Sequence, residues 1–251
     1  MINKILSNIK NKDDKLMIAN VIDKYELFKI NKINKINGFF NERELLLLTN
    51  TLNYLNIKYF VYKYSLTCEL SIVSFIEIDK YLFFDIIEID FPFNSIKHQD
   101  ILGSLFNLGL KRELIGDIFV LDSRAYIVSL SNYTSIILDS LLTVKNIKVL
   151  PHILTEKIEL KKDYLVFNII IASIRLDNIV SKLLKISRSK ATTYITKKEV
   201  LVNYAIETNV SRLLRENDIL SIRGNGKYII GVVINKTKSD NIILQIKKYN
   251  N

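Results

Sequence analysis

Residues 173–195 read SIRLDNIVSKLLKISRSKATTYI. Leu176, Ile179, Val180, Leu183 and Leu184 recur at the i, i+3, i+4, i+7, i+8 spacing of an amphipathic helix. Asp177 falls in its first turn, where a carboxylate suits the helix dipole. Ser187 is placed to cap a second helix, with Ala191, Tyr194 and Ile195 facing inward. The first turn of that helix carries Arg188 and Lys190, although cations are disfavoured at a helix N-terminus. Two readings are open: the cations point into water, or they serve an anion. In the second reading the conflict disappears, because free N–H groups flanked by cations make a phosphate site. Lys197 and Lys198 lie near the helix C-terminus, where the dipole alone accounts for them. Short strands are expected over 200–203 and 218–223, and then a turn at Gly224-Asn225-Gly226. A hairpin over 228–235 and 241–246 closes the chain. Two helices on a small sheet follow from this stretch.

Charge points to the same region. The chain has 251 residues and a formal net charge of +10, from 36 basic and 26 acidic side chains. Residues 173–251 hold 15 basic and 6 acidic residues, a net of +9, so residues 1–172 are left with +1. A Lys-rich composition alone would spread the excess evenly. Its concentration is the pattern of a polyanion-binding surface, or else of a well-solvated one. The chain has one cysteine, Cys68, which excludes an internal disulfide and suggests a reducing compartment. With two histidines, His98 and His152, a structural zinc site is not expected, nor is any cofactor. No run is apolar enough to span a bilayer and no leader is evident, so a soluble cytoplasmic protein without a membrane role is expected.

Upstream, the first sixty residues read as mostly helical. Leu16, Ala19, Asn20 and Asp23 sit in a mixed pattern, and residues 25–28 close an apolar stripe. Residues 29–37 read as a solvated turn region. Asn41 caps a helix from Glu42, with Glu44 in its first turn and Leu45, Leu48, Leu52 and Leu55 at helical spacing. Residues 57–64, 70–78 and 82–89 read as strands, the last two joined as a hairpin at Asp79-Lys80. A helix follows over 97–107, ending at Gly109, with Ile101, Leu102, Leu105 and Phe106 on one side. A strand pair over 118–121 and 125–129, a helix over 133–142 and a strand over 147–154 complete a small α+β sandwich with helices on one face. Three domains are expected: α+β over 1–75, α+β over 76–163, and the basic module over 173–251.

The C-terminal stretch resembles the RNA-binding domain named after small-subunit ribosomal protein S-four. The similarity rests on Arg175-Leu176-Asp177, Ser187-Arg188-Ser189-Lys190-Ala191, Val200, Val202 and Asn203, then Asp218 and the run from Arg223 to Lys227. In that family two helices and a short curved sheet make a basic surface for structured RNA. The resemblance implies that Arg175, Ser187, Arg188, Lys190, Asn203, Arg223 and Lys227 face RNA. Lys197 and Lys198 are added on charge. Glu199 stands where the family usually has glycine. Further upstream, residues 39–44 (FFNERE), 98–103 (HQDILG) and 108–118 (LGLKRELIGDI) resemble the YlmH family. This implies an RNA-recognition-like central domain ahead of the S-four-type domain, with His98, Lys111 and Arg112 as further RNA contacts. It also implies association with ribosomes, particularly obstructed large subunits, and partners among rRNA and tRNA. Residues 62–71 depart from the family's glycine pair and basic cluster.

Catalysis is not expected. Arg175-Leu176-Asp177 also occurs in pseudouridine synthases, but the Thr-Ser-Gly that normally follows there is missing, and 74 residues are too few for that catalytic domain. Asp177 is instead expected to cap its helix or pair with an arginine. His98 and Asp100 are two apart and do not share a helix face. Residues 224–227 lack the spacing of a phosphate loop. Phe83, Phe84 or Tyr81 would stack on bases only if the central sheet had an open face, and core packing is the commoner role. Three function classes follow: a ribosome-bound RNA reader, an RNA-modifying enzyme recruited by its last domain, and a division-linked adaptor whose N-terminal domain binds protein.

Overall fold

The computed structural model describes residues 6–7, 9–32, 38–77, 79–156, 158, 160 and 162–249. The chain divides into two compact units between positions 161 and 162.

The first unit opens with α1 (Lys12–Asn31) and α2 (Glu42–Tyr54). Asn11 caps α1 by accepting the Asp13 and Asp14 amides. Asn41 and Glu44 form a reciprocal capping box on α2, each side chain 3.0 Å from the other's backbone N–H. A bidentate pair from Arg43 to Asp14, at 2.8 and 2.6 Å, ties the helices together. The apolar face of α1 is Ile18, Val21 and Ile22, which pack on Leu48, Leu52 and Val73. Leu16, read from sequence as part of the pattern, is exposed. Residues 29–31, read as a turn, are the last turn of α1, and Lys32 ends it in the left-handed region at φ 59°. The remainder of that expected turn, 33–37, lies outside the described residues.

The strand readings need one correction. β1 (Phe60–Tyr62) and β2 (Ile72–Ser74) pair with each other, whereas β3 (Phe84–Asp90) pairs with β5 (Arg124–Leu130) and β8 (His152–Ile153). So no hairpin joins β2 to β3. Asp79 instead caps a short 3₁₀ turn over Lys80–Leu82 through the Tyr81 amide. The physical reason is that β3 is apolar on both faces, with Ile86, Ile87 and Ile89 all buried. Such a strand belongs in the middle of a covered sheet. That sheet has the order β4-β5-β3-β8, with β4 over Ile115–Val120. Helix α3 (His98–Asn107) links β3 to β4, and α4 (Ser131–Ser140) follows β5. This is the split β-α-β-β-α-β arrangement of RNA-recognition-like sandwiches. A small hairpin, β6 (Thr143–Val144) and β7 (Ile147–Lys148), precedes β8. The single strand expected over 147–154 therefore breaks, at Leu150-Pro151.

One face of the central sheet buries Ile87, Ile89 and Ile127 against Ile101, Leu105 and Ile137 of the helices. The opposite face buries Phe84, Ile86, Phe119 and Val128 against Phe39, Tyr64, Cys68 and Leu70. That second core draws on both sides of position 75. The run 108–118 supplies much of this packing. Gly109 takes φ +81° just after α3, and a Cβ on Gly116 would stand 2.5 Å from the Val128 carbonyl and 2.8 Å from the Phe39 ring. Asp117, buried, accepts the Glu69 and Leu70 amides at 3.0 Å each. The divergent segment 62–71 is thus pinned to the central sheet.

The second unit is an antiparallel six-stranded sheet, β11-β10-β12-β13-β14-β9. Its strands are β9 (Tyr164–Ile171), β10 (Val200–Val202), β11 (Ala205–Ile206), β12 (Ile219–Ile222), β13 (Gly226–Lys236) and β14 (Ile242–Tyr249). Helices α5 (Leu176–Leu184) and α6 (Arg188–Thr196) complete it. Leu176, Ile179, Val180, Ala191 and Ile195 share one core with Val200, Val202, Leu220, Tyr228, Ile230 and Ile246 of the sheet. The helical spacing read from residues 176–184 and 191–195 is the spacing that meets this sheet. β9, upstream of the expected domain start at 173, runs along β14 for its whole length.

Candidate nucleic-acid interface

The site begins at Asp177. Its carboxylate is buried, with 4% of the residue accessible, at the start of α5. It accepts Arg175 Nε at 3.1 Å and a second Arg175 nitrogen at 3.2 Å. Arg188 donates to it at 2.5 Å and the Asn178 amide at 2.9 Å. Burial alone would push this carboxyl up, but hydrogen bonds from Arg175 and Arg188 and their charges outweigh it, so it sits below its ordinary value. One anion thus holds two guanidiniums, and the cluster keeps a net positive charge. The Arg175 and Arg188 side chains stay 38% and 57% accessible, leaving donors free to meet a second anion.

Asp177 therefore settles part of the charge conflict at the start of α6. Ser187 caps α6 with its hydroxyl 3.3 Å from the Lys190 amide. Lys190, Lys197 and Lys198 are exposed, and none of the three is ion-paired among the described residues. Beside Arg188 lies an open cleft of about 360 Å³ whose lining includes Lys182, Asn178, Ser181, Asn241 and Ile171.

The structure separates the other sequence-selected residues. Asn203 holds the fold: at φ 50° its side chain donates to Asp218 at 2.8 Å and accepts the Ile219 amide at 2.8 Å. Arg223 is exposed at the β12–β13 turn. Lys227 is half-buried between tyrosine rings, 4.6 Å from the Tyr204 centroid and 5.0 Å from that of Tyr249. Lys198, not Glu199, takes the left-handed φ after α6, at 62°.

In the first unit, His98 is the first residue of α3, while Lys111 and Arg112 follow its other end. A ten-residue helix, about 15 Å long, separates them. Arg112 donates to the Ile115 carbonyl at 2.5 Å. Asp100 does not face His98; it accepts the Lys97 amide and pairs with Lys145 at 2.9 Å. Phe83 and Phe84 are buried, so neither offers a stacking face. At the other end of the same sheet face, the buried Glu88 holds Arg124 at 2.8 Å with His152 at 3.6 Å. Sequence reading missed the aromatic ring around Lys227 and the cleft residue Lys182. Tyr204 and Tyr249 are isolated in the sequence, so no local pattern signals either feature.

Two family models match this architecture. "Putative RNA-binding domain in YlmH" matches residues 80–157, and "S4 domain" matches residues 174–220. The chain matches the YlmH family with a C-terminal S4 domain. Among curated proteins, the chain is 29% identical over 154 residues to "Ribosome-associated protein quality control protein P2" of Bacillus subtilis (strain 168). The match takes in 59% of this chain and spans 58% of that protein's length. Among solved structures it is similar to "Cell division protein ylmH from Streptococcus pneumoniae", with a TM-score of 0.48 and 19% identity, over 58% of this chain and 93% of that one. The S4 match contains Asp177 and its two arginines, and the YlmH match contains His98, Lys111 and Arg112.

Proposed function

We propose that this chain is a non-enzymatic RNA-binding protein of the cytoplasm that acts on the ribosome. In this reading it binds large-subunit rRNA, tRNA or both during quality control of stalled complexes. The observation that carries the reading is the Asp177-anchored pair of arginines with Lys190 in the first turn of α6, and Lys197 and Lys198 at the other end of that helix, in a domain matched by the S4 model. Cations fixed in place by a buried anion lose less entropy on meeting a phosphate than free side chains do. The ribosomal setting is drawn from the name of the Bacillus subtilis relative. Its buried environment also argues against Asp177 as a nucleophile, since every strong donor around it would have to be displaced.

Co-sedimentation with purified ribosomal subunits tests this. The chain should pellet with the large subunit, and the variant Arg188→Ala/Lys190→Ala should stay largely in the supernatant while keeping its circular dichroism. Equal pelleting of both proteins would contradict the assignment of the face. Failure to pellet with either subunit would contradict the ribosomal setting.

A further inference from the structure

Helices α5 and α6 cover only one face of the six-stranded sheet. Tyr228, Ile230, Leu244 and Ile246 point to that face and are buried. Alternation along the strands then places Lys227, Tyr249 and Tyr164 on the other face. Register makes them one row: Leu201 faces Ser221, Ser221 faces Lys227, Lys227 lies beside Tyr249, and Tyr249 faces Tyr164. The next row holds Ile229, Lys247 and Val166. None of these positions is acidic. Val166 and Ile170 on this face are 51% and 50% accessible.

The cations and rings on this face are organised around one another. Lys227 Nζ lies over the Tyr204 and Tyr249 rings and donates to the Tyr204 hydroxyl at 3.2 Å. Lys162 Nζ lies 5.5 Å from the Tyr249 centroid, and the Tyr164 ring meets Tyr249 edge-on at 5.0 Å. We infer that this face is a second RNA site, taking an unpaired segment. Its bases stack on Tyr204 and Tyr249, and its phosphates meet Lys162, Lys227 and Lys247. Aromatic rings interleaved with lysines, in rows that hold no acidic residue, are what sequence-tolerant binding of single strands requires. A protein partner drawn here by apolar contact alone would have no use for Lys227 and Lys247 in two adjacent rows and Lys162 at their edge. The inference rests on the RNA-binding reading of the same unit. It extends that reading to β9, β13 and β14, which lie outside residues 174–220 matched by the S4 model.

Fluorescence anisotropy on the full chain tests it, with a labelled blunt RNA hairpin and the same hairpin bearing a six-nucleotide uridine tail. The tail should raise affinity about tenfold. Tyr204→Ala/Tyr249→Ala should abolish that gain while leaving blunt-hairpin affinity unchanged, and the double Phe variant should keep it. A gain under twofold, or one that survives both alanines, overturns the inference and leaves the face to another partner. If the blunt hairpin does not bind, the proposed function fails, and affinity for the free uridine strand still decides this site. Ultraviolet crosslinking of the tail to the unaltered chain gives a readout independent of folding. Crosslinks should map to the peptides holding Tyr204 or Tyr249, and crosslinks confined to α6 would overturn the site.

Discussion

Replacing Asp177 with Asn keeps the shape of the side chain and removes its charge. Three arginine hydrogen bonds lose their anionic acceptor, and two guanidiniums are left near each other. Removing one partner of a fully buried ion pair costs about 3–5 kcal/mol. Here the arginines are 38% and 57% accessible, so water takes over part of their solvation and screens their repulsion. The expected loss is therefore about 2 kcal/mol, borne by the second unit. Arg188→Ala should cost the fold less than about 1 kcal/mol, because Asp177 keeps Arg175 and the missing partner was mostly exposed. Hydrogen exchange followed by mass spectrometry reads the second unit separately. The slowest amides of α5 should lose about 2 kcal/mol of opening free energy in Asp177→Asn, while those of the central sheet keep theirs. Protection in α5 unchanged to within about 0.5 kcal/mol would refute the claim that this carboxylate anchors the basic face.

Other consequences follow from the same geometry. Gly116→Ala places a methyl against the Val128 carbonyl and the Phe39 ring, and should lower stability by about 1–3 kcal/mol in urea unfolding of the first unit. Asp117→Ala strips the Glu69 and Leu70 amides of their acceptor; exchange at those amides should quicken, at a cost of about 1–3 kcal/mol. Asp177 and Glu207 are both held below their ordinary values, Glu207 despite burial through the Arg212 contact and the Asn209 and Thr208 amides. Since their folded values lie lower than the unfolded ones, the unfolded chain binds more protons in acid. Their contribution is complete above about pH 4–5 and is lost as pH falls through the folded values. Urea midpoints of the second unit should fall over that range, and a flat profile down to pH 3 would contradict the ion-pair account.

The two helices of the second unit were legible because five apolar residues at helical spacing and one serine cap suffice to fix them. The same local evidence misjudged β2 and β3. Both strands have the right composition and both are buried on two faces, so local pattern does not say which neighbours each one pairs with. The charge conflict at Arg188 was visible in sequence, but its partial resolution was not. Asp177 lies eleven residues earlier and reaches Arg188 only through the packing of α5 on α6. The run 108–118 was distinctive as a motif. In the structure Gly109, Gly116 and Asp117 serve the fold, and Arg112 bonds to a nearby carbonyl. Tyr164, Tyr204, Lys227 and Tyr249 come from three strands and a turn, so no window of sequence brings them together.

The central claim, that the second unit holds RNA by its phosphates, is tested most directly by the salt dependence of binding. Affinity of the full chain for structured RNA should fall with a log–log slope near −3, from about four contacts worth roughly −0.7 to −0.9 each. Arg188→Ala/Lys190→Ala should bring the slope to about −1.5. A slope near zero, or one that the double variant leaves unchanged, would contradict the account.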